Sequence, residues 1–145
     1  MHRTSSVLLS LIGAVLVAAP AFAQTRTVAP DRLPGYWNMT KSQVDGQIPN
    51  VGRKLDQPGC ASVSYLIGSD GVPRDVKARK VVPADSDFGA IAVSLVRNFR
   101  YAASSDNTAD VPVSTYYIVR FNMPRDAAAR EALLARCKLP GYDNG

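Results

Sequence analysis

The sequence predicts an α+β domain: a small three-stranded antiparallel sheet in β-β-α-β order with one packed helix, followed by a short C-terminal helix. Three observations predict it. Two-residue alternation flanks an Asp-Gly turn at Ser69–Gly71, the strongest short hairpin cue. Apolar residues then recur at helical spacing from Phe88 to Phe99. Alternation returns over Val111–Met123, the longest and cleanest strand pattern in the chain.

The N-terminus has the layout of a secretory leader. Met1-His2-Arg3 is basic, Val7–Ala19 is apolar, and Ala21-Phe22-Ala23 is a small-x-small cleavage site before Gln24. The apolar run is short for a membrane span, which needs roughly 20 residues. Residues 1–23 are therefore expected to be a signal peptide and the remainder to reach the periplasm; an uncleaved anchor is the competing reading, and only then does the chain engage the membrane. Cleavage lowers the net charge from +5 to +4 by removing Arg3 and also removes the single histidine, His2. An exported chain without imidazole lacks the usual base of a catalytic triad and the commonest metal ligand. No enzyme activity, metal, cofactor or nucleic-acid partner is expected.

Gly and Pro punctuate residues 24–58 every few positions, so an irregular segment is expected there, with Trp37 tucked against the domain. The first strand follows Cys60, with Val63, Tyr65 and Ile67 alternating with Ser62, Ser64 and Leu66. The second strand, about Val72–Val82, places Val72, Val76, Ala78 and Val82 on one face and Asp75, Lys77 and Arg79 on the other. After Pro83, Asp85 or Ser86 is positioned to cap a helix whose stripe is Phe88, Ile91, Ala92, Leu95 and Phe99. That helix runs directly into Phe99-Arg100-Tyr101, a junction expected to pack on the sheet through its two rings while Arg100 points outward. A polar loop over Ala102–Asp110 leads to the long strand. There Val113, Thr115, Tyr117, Val119, Phe121 and Met123 share one face, and Ser114, Tyr116, Ile118, Arg120 and Asn122 the other. Pro112 near its start favours a sheet edge. Pro124 can begin a lightly packed, alanine-rich helix to about Arg136, with Asp126 and Arg130 as an i,i+4 pair.

Cys60 and Cys137 are the only cysteines. In an exported chain they form a disulfide candidate, worth up to about 4.5 kcal/mol by restricting the unfolded chain; two buried free thiols are the alternative. Other motifs dissolve on inspection. Ser105-Asp106-Asn107 matches an element of penicillin-recognising enzymes, but residues 24–145 contain no Ser-x-x-Lys partner. Asp85-Ser86-Asp87 could open a calcium loop, yet the position of its closing glutamate is Val96. The Lys77, Arg79 and Lys80 cluster is better explained as a solvated face than as a site for an acidic partner.

The order of these elements, from about Gly59 to Met123, resembles the C-terminal domain of TonB, the energy transducer of the Gram-negative cell envelope. Val63–Ile67 is similar to the family's V-x-V-x-F strand, and "SDGVPRDVKARKVVP" to its D-G-x-V-x-x-V turn and second strand. "FGAIAVSLVRNFRY" resembles the helix leading to the W/F-R-Y junction, and "VPVSTYYIVRFNM" the closing strand. The resemblance implies a central first strand and a free edge on the closing strand that accepts a receptor's TonB box by strand addition. The implied contact residues are Val113, Ser114, Tyr116, Ile118, Arg120 and Phe121, with Tyr116, Ile118 and Arg120 as the outward side chains. The chain departs from the family in its cleavable leader, its lack of a long proline-rich spacer or a preceding Tyr-Pro element, its extra C-terminal helix and its cysteines. A binding module is therefore implied more strongly than a force transmitter. The alternatives are a minimal anchored transducer and a structural envelope protein whose edge strand self-pairs in a homodimer.

Overall fold

In the computed structural model, which describes residues 25–42 and 52–142, the elements run β1 (Arg26–Thr27), a 3-10 turn (Leu33–Gly35), β2 (Trp37–Lys41), β3 (Gly59–Ile67), β4 (Pro73–Val82), α1 (Phe88–Arg97), β5 (Arg100–Ala103), β6 (Val113–Phe121) and α2 (Ala127–Cys137). The expected signal peptide lies outside the described residues. The class is α+β as predicted, but the sheet is four-stranded, not three-stranded, in the order β1-β6-β3-β4, and β2 and β5 form a second, two-stranded sheet.

β3 is central and antiparallel to β4 and β6. Along nearly its whole length it is buried, because both faces of the sheet are covered. Ala61, Val63, Tyr65 and Ile67 meet α1 and the N-terminal segment in the main core with Phe88, Ala92, Val96 and Phe99. Cys60 joins Val82 and Cys137 on the opposite face. Gly59 is the point of closest approach: a side chain there would collide with the Phe88 ring and the Val82 carbonyl. Within α1, Val96 is fully buried and Leu95 only partly, a small rotation from the expected stripe. Gly89 lets the helix approach Val81 and Ala78 of β4.

Two register shifts in β4, opposite Ser62/Val63 and Ser64/Leu66, correct the predicted face pattern. Each inserts an unpaired residue and changes the alternation. Val82 consequently faces the Cys60–Cys137 side, away from Ala78 and Val81. The helix start also differs from expectation. Its N-cap is Asp87, without a side-chain cap bond. The Asp87 carboxylate is engaged by the Arg53 backbone N–H and guanidinium at 2.8–3.0 Å, which hold it below the usual carboxylate range. Ser86 donates instead to the Pro83 carbonyl.

The segment expected to be irregular contributes to the core. Val28, Leu33 and Trp37 belong to the main cluster, and the Trp37 indole donates to the Val111 carbonyl at 3.0 Å. β2 pairs with β5, so Arg100–Ala103 is a strand that takes in Ala102 and Ala103, the first two residues of the expected loop. β5 also receives the hairpin turn: the Tyr101 N–H donates to the Gly71 carbonyl at 3.0 Å. Gly71 has φ +72°, and any side chain there would strike the Tyr101 carbonyl. The Asp-Gly turn is thus required twice, for its left-handed φ and for its contact with the junction.

Behind that contact the Tyr65 and Tyr101 hydroxyls share a buried hydrogen bond of 2.6 Å. Burial raises Tyr65 well above the ordinary tyrosine value of 10.0, and the neighbouring Tyr101 adds to the rise. Burial likewise pushes Tyr101 up to about 12, with the shared hydroxyl hydrogen bond opposing it. The folded protein therefore retains protons that the unfolded chain releases above about pH 10, so this contribution to stability is complete below that pH and is lost as pH rises towards 12 and beyond. Tyrosinate absorbance should show two of the six tyrosines ionising only together with loss of tertiary structure. Independent ionisation of all six in the folded state would contradict the buried pair.

Candidate partner-binding edge

β6 has β3 along one side, from Val113 to Phe121. On its other side β1 pairs in parallel only at Val113 and Ser114. The edge expected to be free is therefore closed at its first two residues, because residues ahead of the domain fold back onto it. Pro30 and the following 3-10 turn then carry the chain away from the sheet. Among the described residues, Tyr116 to Phe121 has no strand neighbour on that outer side, a length of about 20 Å at roughly 3.3 Å per residue.

The orientation of the open backbone follows from one hydrogen bond. The Ser114 carbonyl accepts from the Val28 N–H on the outer side at 2.9 Å. In an antiparallel strand the N–H and C=O of one residue point the same way and alternate along the chain. Tyr116, Ile118 and Arg120 consequently present their backbone groups outward.

Their side chains behave differently. Ser114, Tyr116, Ile118 and Arg120 lie on the face away from α1, and the C-terminal segment covers much of that face. A disulfide joins Cys60 to Cys137, with Cα atoms 6.3 Å apart, and the Ser62 hydroxyl donates to the Cys137 carbonyl. Ile118 packs on this cluster, and the buried Tyr116 ring stands edge-on to Tyr142 at 4.8 Å. The Arg120 side chain is exposed, while Tyr116 and Ile118 face the C-terminal cover. On the other face Phe121 stacks on Phe88 with ring centroids 4.0 Å apart, so it supports the edge from beneath.

Two hollows flank this edge. One, of about 520 Å³, is bounded by Ala29–Asp31, Tyr116–Ile118, Arg120 and Lys138. The other, of about 420 Å³, lies on the α1 side between Leu95, Phe99 and Tyr117–Arg120. Both share Tyr117, Ile118 and Arg120, so the open backbone runs between them. Tyr117, assigned to the inner face by alternation, is 41% exposed because it lies at the rim beyond the end of the helix cover. Phe99 meets Tyr117 edge-on at 5.2 Å, while Arg100 is exposed and donates to the Arg97 and Phe99 carbonyls at the end of α1. The junction thus holds the helix and also forms one wall of the edge.

No protein-family model, curated protein or solved structure matches the chain. The site accordingly rests on its own geometry. Sequence reasoning missed the Ala29–Asp31 turn and Lys138 as parts of it. Pro30-Asp31 is recognisable as a turn, but its place beside β6 depends on a two-residue pairing that leaves no periodic signal. Among the described residues no helix is long and apolar enough to cross a membrane.

Proposed function

We propose that this domain is an envelope binding module that takes an extended peptide by strand addition to β6, acting in the periplasm. The observation that carries the reading is the open Tyr116–Phe121 backbone between two hollows. Main-chain hydrogen bonds to Tyr116, Ile118 and Arg120 supply affinity, and side chains entering the flanking hollows supply selectivity. The Cys60–Cys137 disulfide suits an oxidising compartment. The resemblance to the TonB C-terminal domain suggests the partner: a receptor segment of TonB-box type, in outer-membrane transport. The same open edge with exposed Tyr117 also favours a second reading, self-pairing of two copies.

Calorimetric titration of the purified domain with TonB-box peptides tests the proposal. Saturable binding is expected, and Arg120→Pro should weaken it about tenfold or more, since it removes one outward N–H while leaving the ladder to β3 intact. Arg120→Ala separates the side chain from the backbone and should retain most of the affinity. A folded domain that binds none of the peptides would overturn the partner assignment, and a dimer in sedimentation without peptide would favour self-pairing.

A further inference from the structure

The face of the sheet opposite α1 carries a second concavity that strand addition does not use. It has a volume of about 510 Å³ and crosses all four strands of the main sheet. The Tyr116–Tyr142 ring pair stands between it and the β6 groove, with Tyr142 in its wall.

The bulges of β4 build this site. Pairing of Leu66 with Arg74, Ser64 with Lys77 and Ser62 with Lys80 places cations on this face at every third residue of β4 instead of every second. Asp75, at φ +51° in the first irregularity, and Arg79, in the second, are brought to the same region. Bulges commonly re-aim side chains in this way. Arg74 is neutralised by Asp70 at 2.7 Å, and Lys80 leans towards the Lys138 carbonyl. Lys77 and Arg79 differ. Both line the concavity, and among the described residues neither has a carboxylate partner. The Arg79 Nε donates to the buried Ser64 hydroxyl at 2.8 Å, which fixes the guanidinium and leaves its terminal nitrogens for another acceptor. In the neighbouring row Thr27 pairs with Ser114, which pairs with Leu66, carrying two further hydroxyls across the floor.

We infer that this concavity binds a small polyhydroxylated anion, an acidic sugar or a compound like it, held by Lys77 and Arg79 through its charged group. Two features decide the class. A neutral ligand would make no use of the two cations that line the concavity. A bare anion would meet the Asp75 carboxylate, which only a hydroxyl or N–H donor can satisfy. A ligand with one anionic group and several hydroxyls fits both, donating to Asp75 and exchanging hydrogen bonds with Ser64, Thr27 and Ser114, with the Tyr142 ring as a wall. Charge-assisted bonds to Lys77 and Arg79 provide most of the affinity. This inference is independent of what β6 binds.

Amide chemical shifts of the isotope-labelled domain, titrated in turn with glucuronate, glucose 6-phosphate, glucose and inorganic phosphate, test it. Glucuronate or glucose 6-phosphate should cause saturable shifts at Ser64, Lys77 and Ser114, and the two distinguish a carboxylate from a phosphate as the preferred group. Lys77→Gln/Arg79→Gln, both at exposed positions, should remain folded and weaken that binding about tenfold or more. The inference is overturned if neither acidic sugar shifts these amides. It is equally overturned if glucose or inorganic phosphate binds as tightly, or if the double variant binds unchanged.

Discussion

Removing the disulfide with Cys60→Ala/Cys137→Ala is expected to lower the free energy of unfolding by about 4 kcal/mol. The bridge joins residues 77 apart, and closing a loop of that length restricts the unfolded chain by about 4.5 kcal/mol in the chain-entropy account. Beside the bridge, α2 is held by the Ser62–Cys137 hydrogen bond and a small apolar contact through Leu133. Cys137 is its one buried residue, Leu133 and Leu134 are only partly covered, and the rest of the helix is exposed. Its N-terminus is capped locally: the Asp126 carboxylate accepts from the Ala129 N–H at 2.7 Å and not from Arg130 as expected, and Arg130 turns to the Pro124 carbonyl. The cap stabilises the helix without attaching it to the sheet. The second expected effect is therefore local, with amide exchange over residues 127–137 accelerating far more than exchange over β3. Guanidinium unfolding followed through Trp37, the single tryptophan and almost fully buried, measures the first effect. An unchanged midpoint would show that packing, not the bridge, retains α2.

Phe99→Ala should cost about 3–5 kcal/mol, the usual range for truncating a buried phenylalanine. Phe99 is 4% exposed and packs where the end of α1, β5 and β6 converge. Losing its ring opens a cavity and withdraws the edge-on contact to Tyr117. Arg100→Ala is the matched comparison. Its guanidinium is exposed and, among the described residues, donates to the carbonyls at the end of α1, so about 1 kcal/mol or less is expected. Equal effects of the two substitutions in chemical denaturation would refute the assignment of Phe99 to the core and Arg100 to the surface. Because Phe99 also lines the hollow beside β6, its loss should weaken the proposed peptide binding even at temperatures where the variant remains folded.

The parts of the fold visible in the sequence are those in which one face is buried over many residues. The hairpin around Gly71, the α1 stripe and the long alternation of β6 are of this kind, because burial imposes a period on residue type. β1 escaped notice because two residues show no period, and its pairing depends on an edge assembled from distant parts of the chain. β2 begins with Trp37 amid Gly and Pro, and its strand conformation comes from pairing with β5. Val82 was assigned to the wrong face because alternation was extended through a bulge near Arg79, and nothing in "KARKVV" marks that insertion. At the candidate site the strand was identifiable, but which of its backbone groups face outward follows only from the Val28–Ser114 hydrogen bond. Whether Tyr116 and Ile118 were covered could not be read from the strand itself, because the cover arrives through a cysteine far along the chain.

The irregular β4 has a bearing on solubility. An open sheet has two borders, and each can recruit another copy of the molecule. At β4 the border is bulged twice and carries exposed Arg74, Lys77, Arg79 and Lys80, features that discourage strand pairing. The β6 border from Tyr116 to Phe121 has neither proline nor bulge, and Arg120 is its single charged residue. Among the described residues, the β6 border is the more open of the two main-sheet borders to recruitment. Two copies meeting at β6 make a two-fold pair whose outer borders are both β4, and a sheet bounded in that way stops growing. In the proposed strand addition the bare β6 strand serves the partner, while the bulged, charged β4 border discourages growth into fibres.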